Sequence, residues 1–204
     1  MKHKAILMLI CFLCLNSFAQ DFKYGVTASF LLSHPKGYKS HAGYNIGMLG
    51  EYSFSDSKDS WYISPSLLFS AKGWKDRVGD DVDANSYDWN CNVYYMELPV
   101  LIGYKYYVNE RMKLSFGLGP YLAYGLFGNS KIDIEDSVDD NNIFSSGAYK
   151  RFDYGIKTYV GVDFSKWRVG IGWSKSMQKP TKGKWDTINP KDMTYSFQVS
   201  YMIR

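Results

Sequence analysis

What this chain has little of narrows it more than what it has in plenty. It contains three cysteines, and Cys11 and Cys14 both lie in the first twenty residues, so beyond them only Cys91 stands. One thiol can close no internal disulfide and can build no cysteine-based metal site. Past residue 20 the only histidines are His34 and His41, and no acidic segment has the spacing of an EF-hand loop. No later segment is apolar for the roughly 20 residues that a membrane-crossing helix requires. Nor does any stretch repeat its apolar residues at helical spacing. Charge of one sign is also missing: 24 Lys and Arg stand against 20 Asp and Glu. Such a balance gives no footing for nucleic-acid binding.

The first residues read as a targeting segment. Lys2 and Lys4 form a positive start, Ala5 to Leu15 an apolar middle, and Ser17-Phe18-Ala19 a cleavage site with small residues at the −3 and −1 positions. Cys11-Phe12-Leu13 ahead of Cys14 lacks the small residues of a lipoprotein site. We therefore expect residues 1–19 to be a cleaved signal peptide and 20–204 to be one barrel domain. With Lys2 and Lys4 gone, the formal charge of +4 falls to +2.

What remains is rhythm. Eight segments of alternating hydrophobicity are expected at 22–32, 42–54, 61–74, 92–108, 112–126, 152–164, 167–178 and 193–203. The connections alternate long and short. Turns 55–60, 109–111 and 165–166 are short and polar, whereas 33–41, 75–91, 127–151 and 179–192 are long. Short periplasmic turns and long external loops are the signature of an outer-membrane barrel. The expected fold is all-β: an eight-stranded antiparallel up-and-down transmembrane barrel.

The two faces of each strand support this. Met112, Leu114, Phe116, Leu118, Pro120, Leu122, Tyr124 and Leu126 alternate with Lys113, Ser115, Gly117, Gly119, Tyr121, Ala123 and Gly125. Only alternate residues need meet lipid, which is compatible with a mean hydropathy of −0.30. Aromatics gather at strand ends, with Trp61, Tyr104, Tyr106, Phe164 and Trp167 expected at the periplasmic interface, where amphipathic rings are favoured. A soluble cup of the lipocalin type would reverse the faces. The smaller face here carries glycine and charge, which suits a filled polar lumen better than a greasy cavity.

Tyr94-Tyr95-Met96-Glu97-Leu98-Pro99-Val100-Leu101, followed by Phe116-Gly117-Leu118-Gly119-Pro120-Tyr121, resembles the Y-x-E-[LI]-P-x-L and G-x-G-P-Y segments of the PorT-like outer-membrane barrel family of Bacteroidota. The Phe-Ala-Gln end of the leader is similar to signal peptides common there. The resemblance implies an outer-membrane barrel and a link to protein secretion for the family's namesake, although the family is functionally mixed. The Ile203-Arg204 end departs from the terminal aromatic of proteobacterial barrels.

Several residues are candidates for chemistry. Charges expected on the inward face are Lys23, Glu51, Lys72, Glu97, Lys105, Lys113, Asp153, Lys157, Asp163 and Arg168. Of these, Glu51, Lys72, Glu97, Lys105, Lys157, Asp163 and Arg168 are expected to form a lumen charge network, because an isolated buried ion is costly. Pro65, Pro99 and Pro120 are expected to mark bulges in the third to fifth strands. Loops 33–41 and 179–192 each carry a charge of +2, through Lys36, Lys39, Lys179, Lys182, Lys184 and Lys191, whereas 75–91 carries −3 and 127–151 carries −2. Closure would set like loops side by side. The basic side is a candidate contact for lipopolysaccharide phosphate, and Asp80, Asp81 and Asp83 offer a weak calcium site. No other metal, and no cofactor, is expected.

The expected role is that of a non-enzymatic structural or accessory component of the outer membrane of a Gram-negative cell, linked to protein secretion or envelope assembly. The expected partners are lipid, lipopolysaccharide and envelope proteins, with the barrel monomeric. The alternative is a narrow passive channel. A third reading, a lipid-modifying enzyme, would use Ser33 and His34 with Asp76 or Asp80.

Overall fold

The computed structural model describes residues 22–34, 40–55, 58–78, 87–132, 143–144, 150–178 and 193–203. Eight strands follow one another: β1 (Phe22–Ser33), β2 (His41–Ser53), β3 (Ser60–Val78), β4 (Tyr87–Asn109), β5 (Met112–Ile132), β6 (Phe152–Phe164), β7 (Trp167–Ser176) and β8 (Met193–Met202). Each pairs antiparallel with its neighbour, and β8 returns to β1 from Gly25↔Met202 to Ser33↔Thr194, closing the barrel. Closure leaves no sheet edge in the bilayer, where an unpaired backbone group has no water to bond. Among the described residues there is no helix long and apolar enough to cross a membrane.

Period-two alternation becomes inside and outside with little exception. Along β1, Gly25, Thr27, Ser29, Leu31 and Ser33 are buried, while Val26, Ala28, Phe30 and Leu32 are exposed. The exposed face is the greasy one around the whole wall, so the outward medium is hydrocarbon. At the end with the short turns, Trp61 stacks edge-on with Tyr104 at 5.3 Å and Trp167 with Tyr201 at 4.9 Å. At the other end Phe69, Tyr94 and Phe127 form a second aromatic patch, with Tyr94 and Phe127 4.6 Å apart. Two aromatic belts with aliphatic residues between them match two membrane interfaces.

The structure corrects the expected strands in two ways. First, β3 runs to Val78, β4 starts at Tyr87 and β5 runs to Ile132, so the long loops 75–91 and 127–151 are in part strand. The ladder continues through Lys75↔Asn90, Val78↔Tyr87 and Trp89↔Ile132. Residues 75–78 and 129–132 are largely polar and do not alternate, whereas Tyr87 and Trp89 alternate with Asp88 and Asn90 in step with Cys91 and Val93; the backbone hydrogen bonds that extend the ladder need no side-chain signal.

Second, Pro65, Pro99 and Pro120 do not mark bulges. Pro65↔Val100 and Leu68↔Glu97 lie in the same register, as do Pro99↔Tyr121 and Ile102↔Leu118. Losing one N–H interrupts the pairing locally, and the flanking pairs hold the strands in step. The register shifts instead between Tyr94 and Tyr95 and between Tyr107 and Asn109. At the first shift Leu126 is the extra residue, so Phe127, not Leu126, continues the outward row. Arg151 fastens this bulge: its Nη1 donates to the carbonyls of Gly125 and Leu126, each at 3.2 Å, and its own carbonyl accepts from Gly125 N at 2.6 Å.

Candidate functional site

An eight-stranded lumen is just wide enough for side chains to fill, and here polar and charged ones fill it in layers. Nearest the short-turn end, Glu51 of β2 meets Lys105 of β4 (Nζ–Oε1 2.5 Å) and Arg168 of β7, whose Nη2 donates to Oε2. Asp163 of β6 accepts from Arg168 Nε at 2.8 Å, pairs with Lys105 Nζ at 2.8 Å, and takes a further bond from Ser115 Oγ at 2.9 Å. Two carboxylates and two cations make this tier neutral. Each carboxylate bridges both cations, so removing any one member leaves an uncompensated charge.

Above it lies a band of tyrosine. Tyr62 is almost wholly buried, donates to the Phe116 carbonyl at 3.2 Å, and carries Lys105 5.3 Å and Arg168 5.9 Å from its ring centre. It fits because Gly103 and Gly117 have no side chain: a Cβ on Gly103 would stand 2.5 Å from its ring. A cavity of about 30 Å³ between Tyr62, Tyr159, Leu68 and Lys157 has room for on the order of one or two waters.

A second tier follows. Lys72 of β3 pairs with Glu97 of β4 at 2.5 Å and lies over the Tyr121 ring at 5.4 Å. Lys157 lies within electrostatic reach of Glu97. Asp153 accepts from Tyr121 Oη at 3.1 Å and from Ser176 Oγ at 2.5 Å. Lys72, Lys157, Glu97 and Asp153 again sum to zero.

The external end is filled differently. Ile143 and Phe144, from the connection between β5 and β6, bury against the inward residues Cys91 and Val93 of β4, with Tyr95 alongside. Ile143 N donates to the Gly128 carbonyl at 3.1 Å, and the Arg151 guanidinium covers the Phe144 ring at 5.2 Å. Gly125 and Gly128 make the seat, since a Cβ on Gly125 would fall 2.1 Å from the Phe144 ring. This plug was not expected from the sequence. Its only trace there is a pair of inward glycines ahead of an apolar pair in a polar loop.

The short-turn mouth, by contrast, is open. A cavity of about 460 Å³ lies there, with the first tier as its floor and Lys23, Arg111, Lys113, Lys166 and Glu110 on its walls.

The seven residues expected to form a single lumen network thus occupy two tiers: Glu51, Lys105, Asp163 and Arg168 below, Lys72, Glu97 and Lys157 above, with Asp153 joining the upper one. Ser33 and His34 are not brought together. Ser33 is buried with Oγ 3.4 Å from Thr194 Oγ1, while exposed His34 has Nδ1 2.8 Å from Ser40 Oγ. Lys36, Lys39, Lys179, Lys182, Lys184, Lys191, Asp80, Asp81 and Asp83 lie outside the described residues, as does the leader. So does the side chain of Asp76. Among the described residues, no three His, Cys, Asp or Glu side chains converge as metal ligands.

Comparison with known proteins places this geometry. No curated protein matches the chain in sequence. Similar solved structures include Neisserial surface protein A, at 11% identity over 90% of this chain and 96% of that one, with a TM-score of 0.51. The attachment invasion locus protein Ail of Yersinia pestis, solved with the heparin analogue sucrose octasulfate, is 15% identical over 89% and 97%, TM-score 0.44. The outer membrane enzyme PagL is 11% identical over 87% and 99%, TM-score 0.41. Identities this low speak to fold alone. A family model described as outer membrane protein beta-barrel domain matches residues 16–177, which span β1 to β7. Together with the closed eight-stranded barrel and its lipid-compatible exterior, that match over most of the sequence settles the family: the chain belongs to the outer membrane protein beta-barrel domain family and is an integral outer-membrane protein.

Proposed function

We propose that this protein is a closed, non-enzymatic barrel that serves the envelope as a structural or accessory component through its two ends, not by passage through its lumen. The observation that carries this reading is the filled interior. Two neutral tiers of paired charge, a tyrosine band between them and the Ile143–Phe144 plug stand in series along the axis. An ion crossing them would have to break buried pairs, each of which costs several kcal/mol to leave uncompensated. The test is planar-bilayer recording of the purified full chain. We expect no current beyond that of the bare bilayer; discrete steps that grow with salt concentration would refute the reading and favour the channel.

The finer role, in protein secretion or envelope assembly, is supported by the PorT-like segment Tyr94–Leu101. It predicts that a tagged chain extracted in mild detergent recovers secretion or envelope-assembly proteins in stoichiometric amount. Recovery of the barrel with lipid alone would remove it. The lysines of the basic loops are proposed to contact lipopolysaccharide phosphate, which charge reversal at Lys179, Lys182, Lys184 and Lys191 should weaken. The separate engagements of Ser33 with Thr194 and His34 with Ser40 give the enzyme reading no support.

A further inference from the structure

The mouth at the short-turn end faces the periplasm in an outer-membrane barrel, and its charges do not cancel. Lys23 stands directly across from Glu51 in the β1–β2 register, and Lys113 directly across from Asp163 in β5–β6. Cross-strand neighbours of opposite charge ordinarily pair. Here they do not, because both carboxylates turn inward and are taken by Lys105 and Arg168. The two lysines are left with their ammonium groups in the cavity. Lys166 and Arg111, on two tight turns of the rim, add two more cations, and among the described residues Glu110 is the only further acid on the wall. The described residues of the wall thus carry a net +3 above a neutral floor. Among the described residues none of these four cations has an ion-pair partner within 4 Å.

The cavity also has an apolar side. Met202, across from inward Gly25, is its apolar side chain, while Met112, Trp167 and Ile203 border it only at the rim from the outward rows, and about 460 Å³ is within the range of sites that hold a ligand-sized group. A cationic wall selects an anion, and an apolar rim favours one that carries hydrophobic side chains over a bare inorganic ion. We propose that this vestibule is a docking site for a short acidic, leucine-containing segment of a periplasmic protein. Its carboxylates meet Lys23, Lys113, Lys166 and Arg111, and its apolar side chains meet Met202 and the rim beside it. The inference rests on the reading of a closed barrel that works through its ends and names the chemistry of one partner.

The test uses the purified full chain in non-ionic micelles and fluorescence anisotropy of a labelled twelve-residue Glu/Leu peptide, with a Lys/Leu peptide of the same length as control. Saturable binding of the acidic peptide alone, weakened by added salt, is expected. The triple variant Lys23→Glu, Lys113→Glu, Lys166→Glu should bind at least tenfold more weakly. Lys166→Glu alone, a side-chain change at an exposed turn, should lose two- to threefold and covers the case in which the triple variant fails to fold. No saturable binding by the native chain, or equal affinity in Lys166→Glu, would overturn the proposal. Displacement of the peptide by glutarate or phosphate at matched charge concentration would also overturn it, in favour of a small-anion site. Peptide binding is read without a bilayer and conductance without a peptide, so the failure of one is distinguishable from the failure of the other.

Discussion

Replacing Arg168 with methionine should destabilise the barrel by leaving buried charge without compensation. Arg168 donates to Glu51 and makes two bonds to Asp163, at 2.8 and 2.9 Å, while it is 4% exposed. Removing it leaves two buried carboxylates against Lys105 alone, and the neutral tier becomes −1. Breaking a buried pair in this way costs about 3–5 kcal/mol. The low end is expected here, because Lys105 still reaches both carboxylates and the tier borders the open vestibule. Glu51→Gln should cost about 2–4 kcal/mol by the same logic, leaving the tier at +1. The double variant restores neutrality, since Lys105 and Asp163 remain paired at 2.8 Å. It should therefore recover most of the loss, with a coupling of about 3 kcal/mol. Urea unfolding in detergent micelles, followed by tryptophan fluorescence, measures all four corners of this cycle. If each single variant costs under about 1 kcal/mol, or if the double variant costs their sum, the tier is not a coupled unit and the reasoning fails.

Further expectations concern the plug and the wall. Cys91 is fully buried beneath Ile143 and Phe144, so the native thiol should resist maleimide, and Phe144→Ala should raise its labelling rate at least tenfold. Gly125→Ala, whose added carbon meets the Phe144 ring, should act in the same direction; unchanged rates in both would show that the plug does not shield the lumen. Ile171, mid-strand in β7 and 64% exposed, faces lipid, so Ile171→Arg should cost about 2–4 kcal/mol in vesicles. A cost below about 0.5 kcal/mol, usual for a water-facing site, would argue that this face does not meet hydrocarbon.

How far the chain could be read in advance depended on whether a feature is local. Strand number, direction and facing were legible, because inward Thr27 and outward Val26 differ by one step of a period-two pattern that burial in lipid imposes. The ends of β3 and β5 were not, because Lys75 to Val78 and Asn129 to Ile132 are largely polar and leave only the backbone to continue the ladder, and the start of β4 was missed although Tyr87 and Trp89 keep its alternation within an acidic segment. Bulges were misplaced for a related reason. Proline marks a lost donor, whereas a register shift is settled by how two whole strands fit, and that placed it at Leu126.

The candidate site divides in the same way. That Glu51, Lys105, Asp163 and Arg168 point inward follows from strand parity and was readable from the sequence alone, as were the barrel class and its membrane setting. Which of them meet was not readable. They come from β2, β4, β6 and β7, and their heights along the axis are set by strand tilt and by the register at closure, to which every strand contributes. The same closure draws Glu51 and Asp163 away from their cross-strand neighbours Lys23 and Lys113, leaving those cations in the vestibule, and gives Ile143 and Phe144 a seat on Gly125 and Gly128. Periodicity is written residue by residue along the chain, whereas contact across a lumen exists only once the sheet has closed on itself.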